Sequence, residues 1–244
     1  MVTYSDAPFP VRQDIPRSHA RFFAALARPG AWWTGAERVA IAEEVRQAGQ
    51  CALCATRKAA LSPYGIEGTH DAVTDLPANA IEAIHRITTD PGRLTRRWHA
   101  SVVDDALTID HYVELLGILV ALVSIDSFCL AIGVPPRALP PPVAGEPSGY
   151  RPASAVMQDA WVPMIPADGN VGAEADLWQR GRTGNVVRAM SLVPDAVRTL
   201  CDLSDSHYLP MDAIADPSAR TDHLDRQQIE LLAGRISALN QCYY

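Results

Sequence analysis

Two cysteines in this chain have a spacing that suits redox chemistry or metal binding. Cys51 and Cys54 lie three residues apart at the predicted start of a helix, and the cations Arg57 and Lys58 follow. Residues i and i+3 of a helix share a face, so the two sulfurs can close a disulfide or hold one metal ion. Both reactions need the thiolate, which a helix N-terminus and nearby positive charge stabilise. The pair therefore predicts a redox-active dithiol.

Two other interpretations of the pair stay open at this point, namely inert core cysteines and a zinc site. Structural zinc takes four ligands. The remaining cysteines are isolated in the sequence: Cys129, Cys201 and Cys242. Three histidines, His70, His85 and His99, would complete a zinc site only if the fold brought them to the pair. We therefore expect no metal and no cofactor.

Composition limits the class of protein. The chain has 244 residues, of which 48% are hydrophobic and 20% are charged, enough to fill a core and too few charges for a disordered acidic protein. Its net charge of -7 argues against nucleic acid as a partner, because phosphate binding needs a concentrated basic surface. The apolar stretch 115–125 is too short to span a bilayer, so it predicts a buried helix and no membrane partner.

The compartment is predicted from the N-terminus and the cysteine count. The first residues lack a basic region followed by an apolar run, so no secretory signal is expected. Five cysteines, an odd number, make a disulfide scaffold an unfavoured interpretation. We therefore expect a protein of the reducing cytoplasm.

Helical spacing dominates the hydrophobic pattern, which predicts an all-α fold. Thr34 is predicted to cap the first helix, with Glu37 at the third position of a capping box. A proline-rich linker and an irregular segment separate two helical halves, giving units 1–134, 135–184 and 185–244. The predicted helices cover about 35–47, 51–61, 79–88, 94–104, 108–133, 185–206 and 225–240.

A weak internal repeat accompanies this division. Glu37 opens an apolar helix that leads to Cys51, and Glu230 opens another that leads to Cys242. The spacings are fourteen and twelve residues, so this alignment needs a loop insertion of two residues.

The stretch from Glu230 through Asn240 and Cys242 to Tyr244 resembles the alkylhydroperoxidase AhpD-like and carboxymuconolactone decarboxylase superfamily. The signature of that superfamily is a Glu on a helix, then Asn-x-Cys-x-x-Cys, then a His four residues further on. The stretch 37–58 resembles the signature more loosely, and 110–135 resembles the core helix that follows it. The resemblance implies an AhpD-like helical fold, here with two related halves, that assembles into homo-oligomers such as trimers or larger rings.

The resemblance also implies an activity. Redox members of the superfamily reduce organic hydroperoxides with the cysteine pair and need an external dithiol reductant. Carried over to this chain, Cys54 would attack the peroxide, Cys51 would resolve the oxidised thiol, and Glu37 would act in the proton relay. Cys242 and Glu230 would be the corresponding residues of the second half. Glu37 has an equally good structural interpretation as the capping-box residue.

Two departures from the signature leave alternatives open. Lys58 stands where the first motif would have its His, and the second motif stops at Tyr244, before its second cysteine. We expect from the latter that the chain is truncated there. The alternative functions are a carboxymuconolactone decarboxylase-like enzyme with dispensable cysteines, and a non-catalytic helical oligomerisation module with a degenerate site.

Overall fold

The structure, a computed structural model, describes residues 2–210, 213–214, 216–221, 223–240 and 242. Within these residues the chain is mostly helical, and its one sheet is an antiparallel pair of two-residue strands, which confirms the predicted all-α class. The AhpD-like arrangement of the helices stays a prediction. The helices are α1 (Asp14–Leu26), α2 (Gly35–Ala48), α3 (Ala52–Ala59), α4 (Ala78–Thr89), α5 (Arg96–Val102), α6 (Ile109–Ala131), α7 (Asn185–Arg188), α8 (Pro194–His207) and α9 (Arg226–Leu239), and the strands are β1 (Val156–Met157) and β2 (Pro163–Met164).

Side-chain caps start the helices that the sequence predicts most clearly. The Thr34 hydroxyl accepts a hydrogen bond from the Glu37 N–H, and the Glu37 carboxylate accepts one from the Thr34 N–H at 2.9 Å. Thr108 caps α6 in the same way by accepting from the His111 N–H. Such caps satisfy N–H groups that have no partner within the helix, so they fix where each helix begins.

Helix α6 is the centre of the core and packs against α2, α4 and α8. Leu115, Leu122 and Ile125 on this helix are fully buried. Its 23 residues are long and apolar enough to cross a membrane by length and composition alone. Over its most apolar 18-residue window, however, 56% is buried inside the chain's own fold, as in the core helix of a globular domain.

The structure differs from the sequence prediction in two helices. Helix α1 was not predicted, although Phe22, Phe23 and Leu26 line one buried face of it. The single helix predicted over 185–206 is two helices, because Pro194 begins α8 and disfavours helical geometry at the residue before it.

The C-terminal part of the described chain contacts the N-terminal part closely. Helix α8 packs against α1 and α6, and Nε2 of His207 lies 2.6 Å from Nε2 of His19. The proline-rich segment follows the loop after α1, where the Val143 N–H donates to the Ala27 carbonyl at 2.7 Å. The division into units 1–134, 135–184 and 185–244 stays a prediction.

Helices α2, α3 and α4 and the connecting segment 66–75 form the surroundings of the cysteine pair. Helix α4 packs against both α2 and α3. Cys51 is the N-cap residue of α3, and its extended backbone places the sulfur at the helix N-terminus. Segment 66–75 runs from the end of α3 toward α4 and passes over the pair.

Candidate functional site

Four side chains from three parts of the fold converge at one point. Cys51 and Cys54 come from the start of α3, His70 from segment 66–75, and His85 from α4. One sulfur or ring nitrogen of each residue lies within 4.8 Å of the corresponding atom of every other. We call this group the Cys2His2 cluster.

The imidazole rings of the cluster turn their Nδ1 atoms toward the sulfurs. The distance from His70 Nδ1 is 3.5 Å to Cys51 Sγ and 3.5 Å to Cys54 Sγ. His85 Nδ1 lies 3.3 Å from Cys54 Sγ. The Cys54 sulfur is therefore in contact with both imidazoles.

A buried or half-buried carboxylate holds each histidine from its other side. His85 Nε2 lies 2.9 Å from Glu44 Oε2, and His70 Nε2 lies 2.7 Å from Glu82 Oε2. A carboxylate can only accept in such a pair, so Nε2 carries the hydrogen. This pairing fixes the ring orientation and points Nδ1 at the sulfurs.

Glu44 connects the histidine to the segment above it. Its Oε1 atom accepts hydrogen bonds from the Val73 N–H at 2.8 Å and from the Thr74 N–H and hydroxyl at 2.7 and 2.8 Å. The side chain has no solvent exposure. Burial would raise the pKa of the Glu44 carboxyl, but hydrogen bonds from His85 and Thr74 hold this pKa below its usual range.

Glu82 is held in the same manner by different donors. Its carboxylate accepts from Arg57 Nη1 at 2.8 Å and from Trp98 Nε1 at 3.1 Å, in addition to His70. Burial raises the pKa of this carboxyl, and the His70 and Arg57 donors more than offset that effect, lowering the pKa to about 2. Both carboxylates of the cluster are therefore ionised at neutral pH.

These contacts favour a thiolate at Cys54. Burial would raise the pKa of the Cys54 thiol, but hydrogen bonds from His70 and His85 lower the pKa to about 6. Burial would lower the pKa of His70, but its hydrogen bonds with Cys54, Glu82 and Cys51 raise this pKa to about 10. A neutral thiol has one hydrogen for two imidazoles, whereas a thiolate accepts from both. The metal-free, reduced arrangement is an imidazolium–thiolate pair.

Backbone donors stabilise the other sulfur. The Asp71 N–H points at Cys51 Sγ at 3.5 Å. Burial would raise the pKa of the Cys51 thiol, but the backbone N–H groups of Asp71 and Cys54 and the ring of His70 lower it. The Asp71 carboxylate accepts from the Ala52 N–H at 2.7 Å and thereby satisfies the first turn of α3.

Both sulfurs are closed to solvent in this conformation. Cys51 is 1% exposed and Cys54 is 2% exposed. Segment 66–75 covers them, and most of its own residues face solvent. A reactant of any size therefore needs this segment to move before it reaches the Cys54 sulfur.

Glu37, the acid expected at the site, is the capping-box residue of α2. Its carboxylate accepts from Thr34 in the capping box of α2. The carboxylate that contacts the histidine of the cluster belongs instead to Glu44, seven residues later on the same helix. One sequence feature points to Glu44: it is a charged residue three positions after Ile41, on the apolar face of α2, where a buried charge needs a partner.

Lys58 does not take the place of the missing histidine. It is an exposed residue of α3, whereas the two imidazoles come from outside the motif. In the sequence, nothing connects His70 and His85 to the cysteine pair except a possible zinc site, and the structure brings both to the pair. His99, the third such residue, packs against Tyr112 instead.

The predicted residues of the second half lie apart from the cluster. Glu230 is paired with Arg226 and accepts from the Tyr208 hydroxyl, and Cys242 is exposed. Tyr244, where the second motif stops, lies outside the described residues.

The caps of α2 and α9 give the predicted internal repeat another possible register. Helices α2 and α9 both have 14 residues, and both begin with a capping box, at Thr34 and at Asp225. Seventeen positions separate Thr34 from Cys51, and seventeen separate Asp225 from Cys242, so no insertion is needed. In this register Glu230 corresponds to Val39 and not to Glu37.

Comparisons with protein-family models, with curated proteins and with solved structures gave no match to this chain, so its resemblance to the AhpD-like superfamily rests on the residues quoted above.

Proposed function

We propose that this chain is a thiol peroxidase of the alkylhydroperoxidase type, with Cys54 as the attacking thiol and Cys51 as the resolving thiol. The observation that carries the proposal is the position of the Cys54 sulfur between two imidazoles, each fixed by an ionised carboxylate. This arrangement supplies a thiolate and a proton donor at the same point, which peroxide reduction requires.

The cycle uses only groups of the cluster and an external dithiol. The Cys54 thiolate attacks one oxygen of the hydroperoxide, the O–O bond breaks, and the leaving oxygen takes a proton from an imidazolium to give an alcohol. The resulting Cys54 sulfenic acid is attacked by the Cys51 thiolate, which forms the disulfide and releases water after a second proton transfer. An external dithiol then exchanges with the disulfide and returns both thiols.

The proton donor in this scheme is His85, held by Glu44, in the role that the resemblance assigned to Glu37. Glu44 stays ionised and keeps the ring oriented while His85 gives up its proton. Because the sulfurs are nearly inaccessible, the substrate is a small hydroperoxide that enters when segment 66–75 opens.

The test is peroxide-dependent consumption of a dithiol by the reduced protein. We expect Cys54→Ser to reduce turnover to the uncatalysed background, because the attacking thiolate is gone. Given one equivalent of peroxide in the absence of the dithiol, Cys51→Ser should stop at the Cys54 sulfenic acid, whereas wild type should go on to the Cys51–Cys54 disulfide. Cys201→Ser, a cysteine of α8 outside the cluster, is the matched control and should retain full turnover. Equal rates in Cys54→Ser and wild type would reject the proposal.

We also propose that the chain forms homo-oligomers, as the resemblance implies. An apolar face of α9 supports this: Leu231, Leu232, Ile236 and Leu239 are between 53% and 73% exposed. A contiguous apolar face of this kind is typical of an interface.

The oligomer proposal predicts that Ile236→Glu lowers the molar mass in solution, measured by light scattering after size exclusion. A charge buried in an apolar interface would cost several kcal/mol, enough to dissociate it. Ser237→Glu, an exposed neighbour on the same helix, is the control and should leave the mass unchanged. A wild-type chain that is already monomeric contradicts the proposal.

A further inference from the structure

The Cys2His2 cluster offers more than a thiol pair. Peroxide reduction needs two sulfurs and one proton donor, yet the fold brings two complete carboxylate–histidine pairs to the same point. We propose that the reduced protein binds one Zn²⁺ ion through Cys51 Sγ, Cys54 Sγ, His70 Nδ1 and His85 Nδ1. Two thiolates and two imidazoles are a donor set that suits zinc and gives it four ligands.

The distances within the cluster match this coordination. Zinc lies about 2.3 Å from sulfur and about 2.0–2.1 Å from nitrogen, so a tetrahedral site separates its sulfur and nitrogen ligands by about 3.5 Å. The three sulfur–nitrogen contacts of the cluster are 3.5, 3.5 and 3.3 Å. These three distances are those of a tetrahedral site, and all four ligand atoms lie within 4.8 Å of one another.

The second ring nitrogen of each ligand histidine is also paired as in zinc proteins. A ligating imidazole donates its other N–H to a carboxylate or carbonyl, which fixes the tautomer and raises the basicity of the ligating nitrogen. Glu44 and Glu82 fill this role for His85 and His70. Both carboxylates are held by further donors. Glu44 accepts from Val73 and Thr74. Glu82 accepts from Arg57 and Trp98.

All four ligands are protein side chains, and the cysteines and His85 have almost no exposure. Four protein ligands leave no open position, so the ion would be structural and would fasten segment 66–75 to α3 and α4. Binding needs both sulfurs as thiolates and both Nδ1 atoms without hydrogen, so the protons that these four atoms still hold are released. The same two sulfurs cannot hold zinc and form a disulfide, so zinc binding and the peroxidase cycle exclude each other. The zinc inference needs no peroxidase activity to be correct.

The first experiment titrates the reduced, chelator-treated full chain with Zn²⁺ against a chromophoric chelator. We expect one equivalent per chain, and Co²⁺ in place of Zn²⁺ should give the strong visible bands of a tetrahedral thiolate site. His70→Ala and His85→Ala should abolish stoichiometric binding. His99→Ala and Cys201→Ser remove a buried histidine and a cysteine outside the cluster, and both should bind as wild type does.

Two further measurements keep the inference testable if the histidine variants do not fold. Glu82→Gln keeps every ligand and should weaken Zn²⁺ affinity by about 10–100-fold, because Glu82 orients His70 and is not itself a ligand. In wild-type protein loaded with Zn²⁺, oxidation to the Cys51–Cys54 disulfide should release one equivalent of the metal.

Several outcomes would overturn the inference: no stoichiometric binding by wild type, unchanged binding by a folded His70→Ala/His85→Ala variant, or zinc retained after the disulfide forms. The result is independent of the proposed function. Stoichiometric zinc without peroxide turnover rejects only the peroxidase, and peroxide turnover without stoichiometric zinc rejects only the metal site.

Discussion

Replacing Glu44 with alanine is expected to lower the free energy of unfolding of the reduced, metal-free protein by about 3–5 kcal/mol. The carboxylate is fully buried and accepts from His85, from the Thr74 hydroxyl and from two backbone N–H groups. Alanine leaves the fully buried His85 without its acceptor and also removes the acceptor of three donors in segment 66–75, and each unsatisfied buried group costs about 1–3 kcal/mol. The effect is large because one residue supports both segment 66–75 and the imidazole of α4.

The measurement is urea unfolding together with the thermal midpoint. For a chain of this size about 1 kcal/mol corresponds to about 2–4 °C, so the midpoint should fall by roughly 10 °C. Glu43→Ala is the matched control, because Glu43 is the preceding residue of α2 and is exposed. It should change stability by less than about 0.5 kcal/mol. Similar losses in the two variants would show that Glu44 does not support the cluster.

Removing both imidazoles with His70→Ala/His85→Ala is expected to abolish most of the thiolate at Cys54. With a pKa of about 6, roughly nine-tenths of this thiol is ionised near pH 7. Without the two imidazoles, burial is the largest remaining effect and is opposed only by the hydrogen bonds of Cys51 and Thr89, so we expect the pKa to return to at least the ordinary value of about 8.5. The thiolate fraction near neutral pH should therefore fall by about 30-fold or more.

The experiment follows thiolate absorbance and alkylation rate against pH in reduced, metal-free protein. In wild type the thiolate is present above about pH 6 and is lost as the pH falls through that value. In the double variant the whole profile moves to higher pH. His99→Ala should leave it in place, since His99 contacts Tyr112 rather than the cysteines. A profile that stays near pH 6 in the double variant would mean that α3 alone sets the pKa.

The sequence was sufficient for the features that local chemistry decides. The cap at Thr34, the helix that follows it and the position of Cys51 and Cys54 at the start of α3 all follow from short-range patterns. Pro194 also indicates a helix break, but the hydrophobic period continues on both sides of it, so the pattern predicted a single helix there.

The partners of the cysteines could not be predicted, because tertiary packing alone brings them together. His70 and His85 lie 16 and 31 residues after Cys54, and no spacing rule connects them to the pair. Glu37 and Glu44 lie on the same helix, and both are acids that precede the cysteines. Only the packing of α2 against α4 shows that Glu44 faces the interior while Glu37 caps the helix.

The two carboxylate oxygens of Glu44 accept from different parts of the fold, which links the movement of those parts. Oε1 holds Val73 and Thr74, and Oε2 holds His85. A reactant that displaces segment 66–75 also pulls on the Glu44 carboxylate, which aligns the His85 ring. Opening of segment 66–75 and the orientation of the His85 ring are therefore coupled through a single side chain.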